Sequence, residues 1–314
     1  MPFAIEAIDV ARDYPGTSAL RGVSLEVKSG ELFALVGPDG AGKTTFLRIL
    51  AGLLSMSRGT VCIDGIDVSA EPALVKERIG YMSQRFSLSE TLTVAENLLY
   101  VSEVWHVQRG ERRKRVTRLL EFSRLGPFQD RLARNLSGGM KQKLSLCACL
   151  VHQPRILLLD EPTIGVDPVS RRDFWLILYD LMQEGSTILL STPYMDEAER
   201  CGRVGFLMDG RLMACGNPAA LKADLDTVIL DLRSTDSRGA RRALSRVPGL
   251  SAAVPFGEHV HVTVPRHGFD VSDALDRARA AGVVVHDWRI REPSLEDVFL
   301  SYIHRHDEWE ALPS

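Results

Sequence analysis

Residues 3–10 and 23–27 alternate apolar and polar side chains, the period of two expected of antiparallel strands, and Tyr14-Pro15-Gly16 supplies a turn between them. Leu32–Val36, Ile156–Leu159 and Ser186–Ser191 are instead near-continuous apolar runs, as in strands buried on both faces of a parallel sheet. Behind the first of these runs Phe46, Ile49, Leu50 and Leu53 predict one buried helix face, which Gly52 and Ser55 bring to an end. Val61–Ile63 and Ile66–Val68 flank Asp64-Gly65 as a hairpin, and a helix near 73–78 leads into a strand over 79–82. Residues 92–134 lose strand signals and carry long helical patterning. With the following helix, which bears Leu144, Leu146, Ala148 and Leu150, they predict a helical subdomain over about 92–150. Val204–Met208 and Arg211–Ala214 form a last hairpin around Asp209-Gly210, and Gly216-Asn217-Pro218 then breaks the pattern.

A domain boundary is therefore expected near residue 222, giving domains over 1–222 and 223–306 and a tail over 307–314. The second domain reads as strand 228–233, helix 238–247, strand 251–256, strand 259–264, helix 270–281, strand 283–290 and helix 294–303. Apart from the last helix this is the β-α-β-β-α-β order of a ferredoxin-like α+β domain. His259, His261, His267 and His286 sit on its strands or turns with no carboxylate or cysteine at ligand spacing, so they read as solvated or packed histidines.

With 314 residues, 45% hydrophobic and 25% charged, the chain can bury a large core and a small one without staples. A net charge of −3 gives no reason to expect a nucleic-acid partner. The five cysteines, Cys62, Cys147, Cys149, Cys201 and Cys215, are odd in number and scattered, and read as buried thiols in a reducing compartment. No stretch approaches the roughly 18 apolar residues of a spanning helix, and the N-terminus has no basic-then-apolar export signal. Any membrane role is then expected to work through a partner. Arg109, Arg112, Arg113, Lys114, Arg115 and Arg118 crowd one helical stretch, readable as a solvated face or as a contact with anionic headgroups or a membrane partner.

The candidate chemistry begins at residues 37–44, Gly-Pro-Asp-Gly-Ala-Gly-Lys-Thr, directly after the first buried strand. G-x-x-x-x-G-K-T is a phosphate-binding loop. Gly37, Gly40 and Gly42 let backbone N–H groups turn inward around an anion, and a helix starting near Gly42 adds its positive dipole end. Lys43 would reach the β- and γ-phosphates and Thr44 would ligate Mg²⁺. Gln84, just past a strand end, faces the crevice where open α/β sheets bind ligands. Leu136-Ser137-Gly138-Gly139-Met140 is a second anion loop, with Ser137 as helix cap. Asp160 and Glu161 end another buried strand. Asp160 suits Mg²⁺ and Glu161 suits polarising an attacking water. Tyr14 stands near the entrance, either stacked on adenine or as a turn aromatic.

Together these stretches resemble the nucleotide-binding subunits of ABC transporters over residues 3 to about 220: Walker A, Gln84, LSGGM, the Walker B run and Gly165-Val166-Asp167-Pro168 follow in that family's order. The resemblance implies a P-loop ABC-type α/β fold, a mixed sheet with a helical subdomain. It also implies ATP and Mg²⁺ as ligands, a dimer that sandwiches two ATPs head to tail, and a separate permease. It assigns ATP contacts to Tyr14, Gly37, Pro38, Asp39, Gly40, Ala41, Gly42, Lys43, Thr44, Thr45, Gln84, Ser137, Gly138, Gly139 and Asp167, with Mg²⁺ held by Thr44, Gln84 and Asp160 and catalysis by Glu161. The tail, with Glu292-Pro-Ser-Leu-Glu-Asp-Val-Phe-Leu300, looks like the C-terminal extension of the exporter branch that handles drugs, sodium, lipids or polysaccharides. That places the chain at the cytoplasmic membrane face, as a homodimer or as one half of a heterodimer with a second cassette.

Three residues depart from the family pattern. Met140 replaces the commoner Gln, Asp39 the commoner Asn, and Pro193 stands where the family has its switch histidine. Proline has neither side-chain donor nor backbone N–H. Slow hydrolysis, a companion cassette that keeps its histidine, a nucleotide-sensing role, or a substitute donor from Thr192 or Tyr194 are the readings this leaves.

Overall fold

The computed structural model describes residues 3–250 and 253–310 and divides after Gly216 into two units. The first contains β1 (Phe3–Tyr14), β2 (Thr17–Lys28), β3 (Leu32–Val36), α1 (Lys43–Leu50), β4 (Arg58–Ile63), β5 (Ile66–Asp67), α2 (Pro72–Arg78), β6 (Ile79–Met82), α3 (Val94–Val104), α4 (Arg109–Phe122), α5 (Gly138–Leu150), β7 (Ile156–Asp160), α6 (Pro168–Gln183), β8 (Thr187–Thr192), α7 (Met195–Ala198), β9 (Arg203–Met208) and β10 (Arg211–Gly216). The alternating N-terminal strands pair antiparallel in the order β2-β1-β4-β5, and β1 and β2 are longer than their apolar alternation predicts. The continuous apolar strands form the centre of a second sheet, β10-β9-β3-β8-β7-β6, parallel except for the β9–β10 hairpin.

Every residue of β3, β7 and β8 is buried, because strands and helices cover both faces of that sheet. Phe46, Leu47, Ile49 and Leu50 of α1 are fully buried against it. Leu53 is not: α1 ends at Leu50, and Leu53, beyond the cap, is 54% exposed. The helical part, α3 to α5, begins with a capping box in which Thr93 and Glu96 satisfy each other's backbone amides. In α4, Arg112 bonds the Val107 carbonyl and pairs with Glu103, and Arg115 donates to the Val151 carbonyl. Part of the cationic stretch thus fastens α4 to its surroundings, while Arg109, Arg113 and Arg118 are exposed. Among the cysteines, Cys147 and Cys201 are buried and Cys62 and Cys149 half-buried, but Cys215, on the edge strand β10, is exposed.

The second unit holds α8 (Pro218–Ala223), β11 (Thr227–Arg233), α9 (Ser237–Leu244), β12 (Ala253–Phe256), β13 (His259–Pro265), α10 (Val271–Ala280), β14 (Asp287–Arg291) and α11 (Leu295–Glu310). The boundary expected near 222 falls inside α8, which Asn217 caps by accepting from the Ala219 amide. Strand order is β12-β13-β11-β14 with every pairing antiparallel. Val228, Leu230, Leu232, Val260, Val262 and Val264 line one face as a core with Ala240, Leu244, Leu275 and Ala278 of the helices. β14 starts at Asp287 rather than 283, since Val283 turns inward onto that core. The first two residues of the expected strand 251–256, and 311–314 of the expected tail, lie outside the described residues.

Candidate nucleotide site

Parallel pairing brings the C-terminal ends of β3, β7 and β8 side by side, with Leu35 opposite Ser191 and Asp160 opposite Ser191. The loop leaving β3 cannot carry side chains at two points. A Cβ on Gly37 would lie 2.1 Å from the Leu207 carbonyl oxygen, and Gly42, at φ +106°, would press one to 2.6 Å from the Ala19 carbonyl. Gly42 caps α1 without a side chain, and the first helical bond runs from the Phe46 amide to the Gly42 carbonyl at 2.9 Å. The amides of Lys43, Thr44 and Thr45 therefore precede the ladder at the positive end of the helix, beside the Pro38–Ala41 turn closed at 3.2 Å.

Lys43 is 4% exposed and uses its donors fully, on the Gly37 carbonyl at 2.7 Å, the Pro38 carbonyl at 2.9 Å and Glu161 Oε1 at 3.1 Å. Gln84 Nε2 donates to the other carboxylate oxygen of Glu161 at 2.7 Å. Glu161 itself adopts φ +49°, a left-handed conformation that costs a non-glycine residue free energy and concentrates at working sites. Asp160 is fully buried; its Oδ1 accepts from Thr44 Oγ1 at 3.0 Å and Ser191 Oγ at 2.8 Å, and its Oδ2 from the Tyr81 hydroxyl at 3.4 Å. Burial and the Asp160 charge push the Tyr81 phenol above its ordinary value, and Arg48 pulls it back. Ser191 and Tyr81 carry no motif; the strand register alone brings them to the carboxylate.

Among the described residues no cation touches Asp160: its partners are three hydroxyls, while Lys43 and Gln84 both turn to Glu161. A buried carboxylate held only by neutral donors, with a threonine hydroxyl on the same oxygen, has the oxygen chemistry Mg²⁺ takes. Thr44, Asp160 and the amide of Gln84 fit that ion.

The other expected site residues lie elsewhere. Tyr14 ends β1 with the Arg12 guanidinium 4.7 Å from its ring centroid. Asp39 is exposed. Ser137 caps α5, accepting from the Met140 amide at 3.3 Å. Gly138 and Gly139 pack toward Gly165 and Ser170, where a Cβ on Gly139 would meet the Ser170 Cβ at 2.3 Å. Asp167 caps α6, accepting from the Val169 and Ser170 amides at 3.1 and 2.9 Å, and those bonds, Ser170's first, hold its carboxyl below the ordinary range. Next to Pro193 the Thr192 hydroxyl is committed. The buried Thr192 hydroxyl donates to Glu197 at 2.7 Å and accepts the Tyr194 amide at 3.1 Å, while the Tyr194 ring lies against the Arg171 guanidinium at 4.5 Å. Thr192 is thus removed as the substitute donor in this conformation.

In the second unit the fold supplies a carboxylate that the sequence spacing around the histidines does not. Antiparallel register sets Asp231 opposite His261, and Asp231, 2% exposed, accepts from His259 Nδ1 at 2.7 Å and Arg289 at 2.9 Å. Burial raises this carboxyl, and the Arg289 and His259 contacts outweigh burial, leaving it below the ordinary range. A carboxylate partner therefore exists, reached across strands rather than along the sequence. Among the described residues no group of three or more His, Cys, Asp or Glu is placed to hold a metal.

Comparison with known proteins agrees with this geometry. The ABC transporter family model matches residues 20–164. The daunorubicin/doxorubicin resistance ATP-binding protein DrrA of Streptomyces peucetius is 36% identical over 95% of this chain and 92% of its own length. The probable multidrug ABC transporter ATP-binding protein YbhF of Escherichia coli is 39% identical over 92% of the chain, which spans 50% of YbhF's length. Among solved structures, the cassette MJ0796 bound to ADP and Pi superposes with a TM-score of 0.63 at 28% identity, covering 68% of this chain and 98% of that one. CbiO1 of Clostridium perfringens gives 0.66 at 26% identity over 79% and 97%. A phosphate loop, paired carboxylates at the ends of parallel strands and a capped glycine signature, matched over nearly the whole length of DrrA, identify the chain as a member of the ABC transporter ATP-binding proteins.

Proposed function

We propose that the chain is the ATP-binding and hydrolysing subunit of an ABC exporter, driving a separate transmembrane permease from the cytoplasmic membrane face. The observation that carries this reading is the cluster in which Lys43 and Gln84 hold the two oxygens of Glu161 beside the Thr44–Asp160 pair. Phosphate oxygens offer Lys43 better partners than the Gly37 and Pro38 carbonyls, and the Lys43–Thr45 amides complete the cradle. Mg²⁺ supplies charge neutralisation to the phosphates when bound. Glu161, once Gln84 and Lys43 turn to ligand, is free to orient and polarise a water.

Ser137–Gly139 face Gly165 and Ser170 rather than the Lys43–Glu161 cluster, which supports their service to an ATP held by a second chain. Drug-resistance and export names among the relatives support the exporter branch, and no described helix is long and apolar enough to cross a membrane. The strand order β12-β13-β11-β14 supports a ferredoxin-like second domain, to which we assign a regulatory or dimer-supporting role. Pro193 makes a self-paired dimer slow, and a companion cassette with a histidine would restore one fast site; a relative twice as long has room for two such cassettes. The test is Glu161→Gln, which keeps the phosphate contacts and removes the carboxylate. With saturating MgATP it should accumulate as a dimer in light scattering, and a persistently monomeric protein would sink the sandwich.

A further inference from the structure

Outside the phosphate loop, a groove of about 300 Å³ opens between β6 and the helices α3 and α5, lined by Tyr81, Met82, Leu88, Val101, Trp105 and Cys149 among others. Its β6 wall is fastened from α5 and the residues just beyond it: Cys149 Sγ donates to the Tyr81 carbonyl at 3.2 Å, and His152 Nε2 bonds the Ile79 carbonyl at 2.8 Å. Trp105 stacks on His152 with ring centroids 3.9 Å apart, forming one side of the groove. Tyr81 lines this groove and, through its hydroxyl, reaches the Asp160 carboxylate. It is the one described side chain that both lines the groove and bonds the buried carboxylate pair.

Resting on the ATPase reading above, the geometry points to Tyr81 as a positioning residue for Mg²⁺: its hydroxyl fixes the orientation of the Asp160 carboxylate toward the ion. Asp160 has four lone-pair positions, and Thr44 and Ser191 supply donors to one oxygen only. Tyr81 is the protein donor to the other, and with it in place the carboxylate has one orientation toward the ion. Without it, Oδ2 is buried with no protein donor among the described residues, and the group can rotate about its Cβ–Cγ bond. The donor–acceptor distance of 3.4 Å is long for an O–H···O bond, so its loss has a modest effect.

The test is Tyr81→Phe, which keeps the ring in the groove and removes only the hydroxyl, compared with Trp105→Leu, which alters the groove but touches neither carboxylate. Equilibrium binding of ATP to the full chain is titrated with Mg²⁺ and repeated in EDTA, alongside the Mg²⁺ dependence of turnover. Tyr81→Phe should raise the half-saturating Mg²⁺ concentration about three- to tenfold, the effect of losing one long hydrogen bond of ordinary strength. Metal-free ATP affinity should stay within about twofold, and Trp105→Leu should leave the Mg²⁺ midpoint unchanged. An unshifted midpoint in Tyr81→Phe overturns the assignment, as does an equal shift in Trp105→Leu or an equal loss of metal-free binding. A wild-type chain that binds no ATP overturns the ATPase reading instead.

Discussion

Ser191→Ala tests whether the two carboxylates are held by the strand beside them. The Ser191 hydroxyl donates to Asp160 Oδ1 at 2.8 Å and accepts from the Glu161 amide at 3.0 Å, in a fully buried position. Its loss removes one hydrogen bond to a buried charge, worth about 1.5–3 kcal/mol. The Glu161 amide keeps the Ser191 carbonyl at 3.2 Å, so its share of the loss is small, and Thr44 still serves Asp160. Deleting one oxygen leaves little cavity, so the expected total is about 2–3 kcal/mol. At about 2–4 °C per kcal/mol for a domain this size, the first unit should melt about 4–12 °C lower. Scanning calorimetry of the nucleotide-free chain measures this, with Ser191→Thr as the variant that keeps the hydroxyl. A melting temperature within 1 °C of wild type, in proportion to about 0.3 kcal/mol, would refute the bracing argument.

Pro193→His should raise single-turnover hydrolysis by about 10²- to 10³-fold in a self-paired dimer, the usual effect of one preorganised donor; comparable rates in the two proteins would remove Pro193 as a deficit. In the second unit, burial and then the Arg291 guanidinium hold the His261 imidazole below its ordinary value. A depressed folded value makes the stability fully present above the unfolded pKa of about 6.5 and lost as pH falls below it. Denaturant midpoints of the second unit should therefore drop between pH 7.5 and pH 5.5 (roughly one unit either side of that value), and His261→Gln should flatten the drop. An unchanged slope in the variant contradicts this.

The parts of the site that a linear reading finds are those whose chemistry is local. A phosphate loop announces itself because its glycines, lysine and threonine act within one turn of backbone, and the apolar run before Asp160 marks its own strand. Ser191, Tyr81 and Asp231 work through partners 31, 79 and 28 residues away, so their roles depend on sheet register that apolar periodicity does not encode. Leu53 fits a helical stripe as well as Leu50 does, and only the end of α1 decides that one is buried and the other exposed. His259 and His261 looked partnerless because Asp231 lies on a different strand with alternating apolar neighbours.

The short run from Glu161 to Ser170 has a consequence for communication. One end carries the carboxylate that serves the chain's own Lys43, and the other abuts Gly139 of the signature helix. Between them Asp167 pins the start of α6, so the segment is anchored at both extremities. In the head-to-tail pair proposed above, Gly139 would grip the opposite ATP, and a change of state at one nucleotide would then reach the grip on the other through a single chain, without a path through a permease.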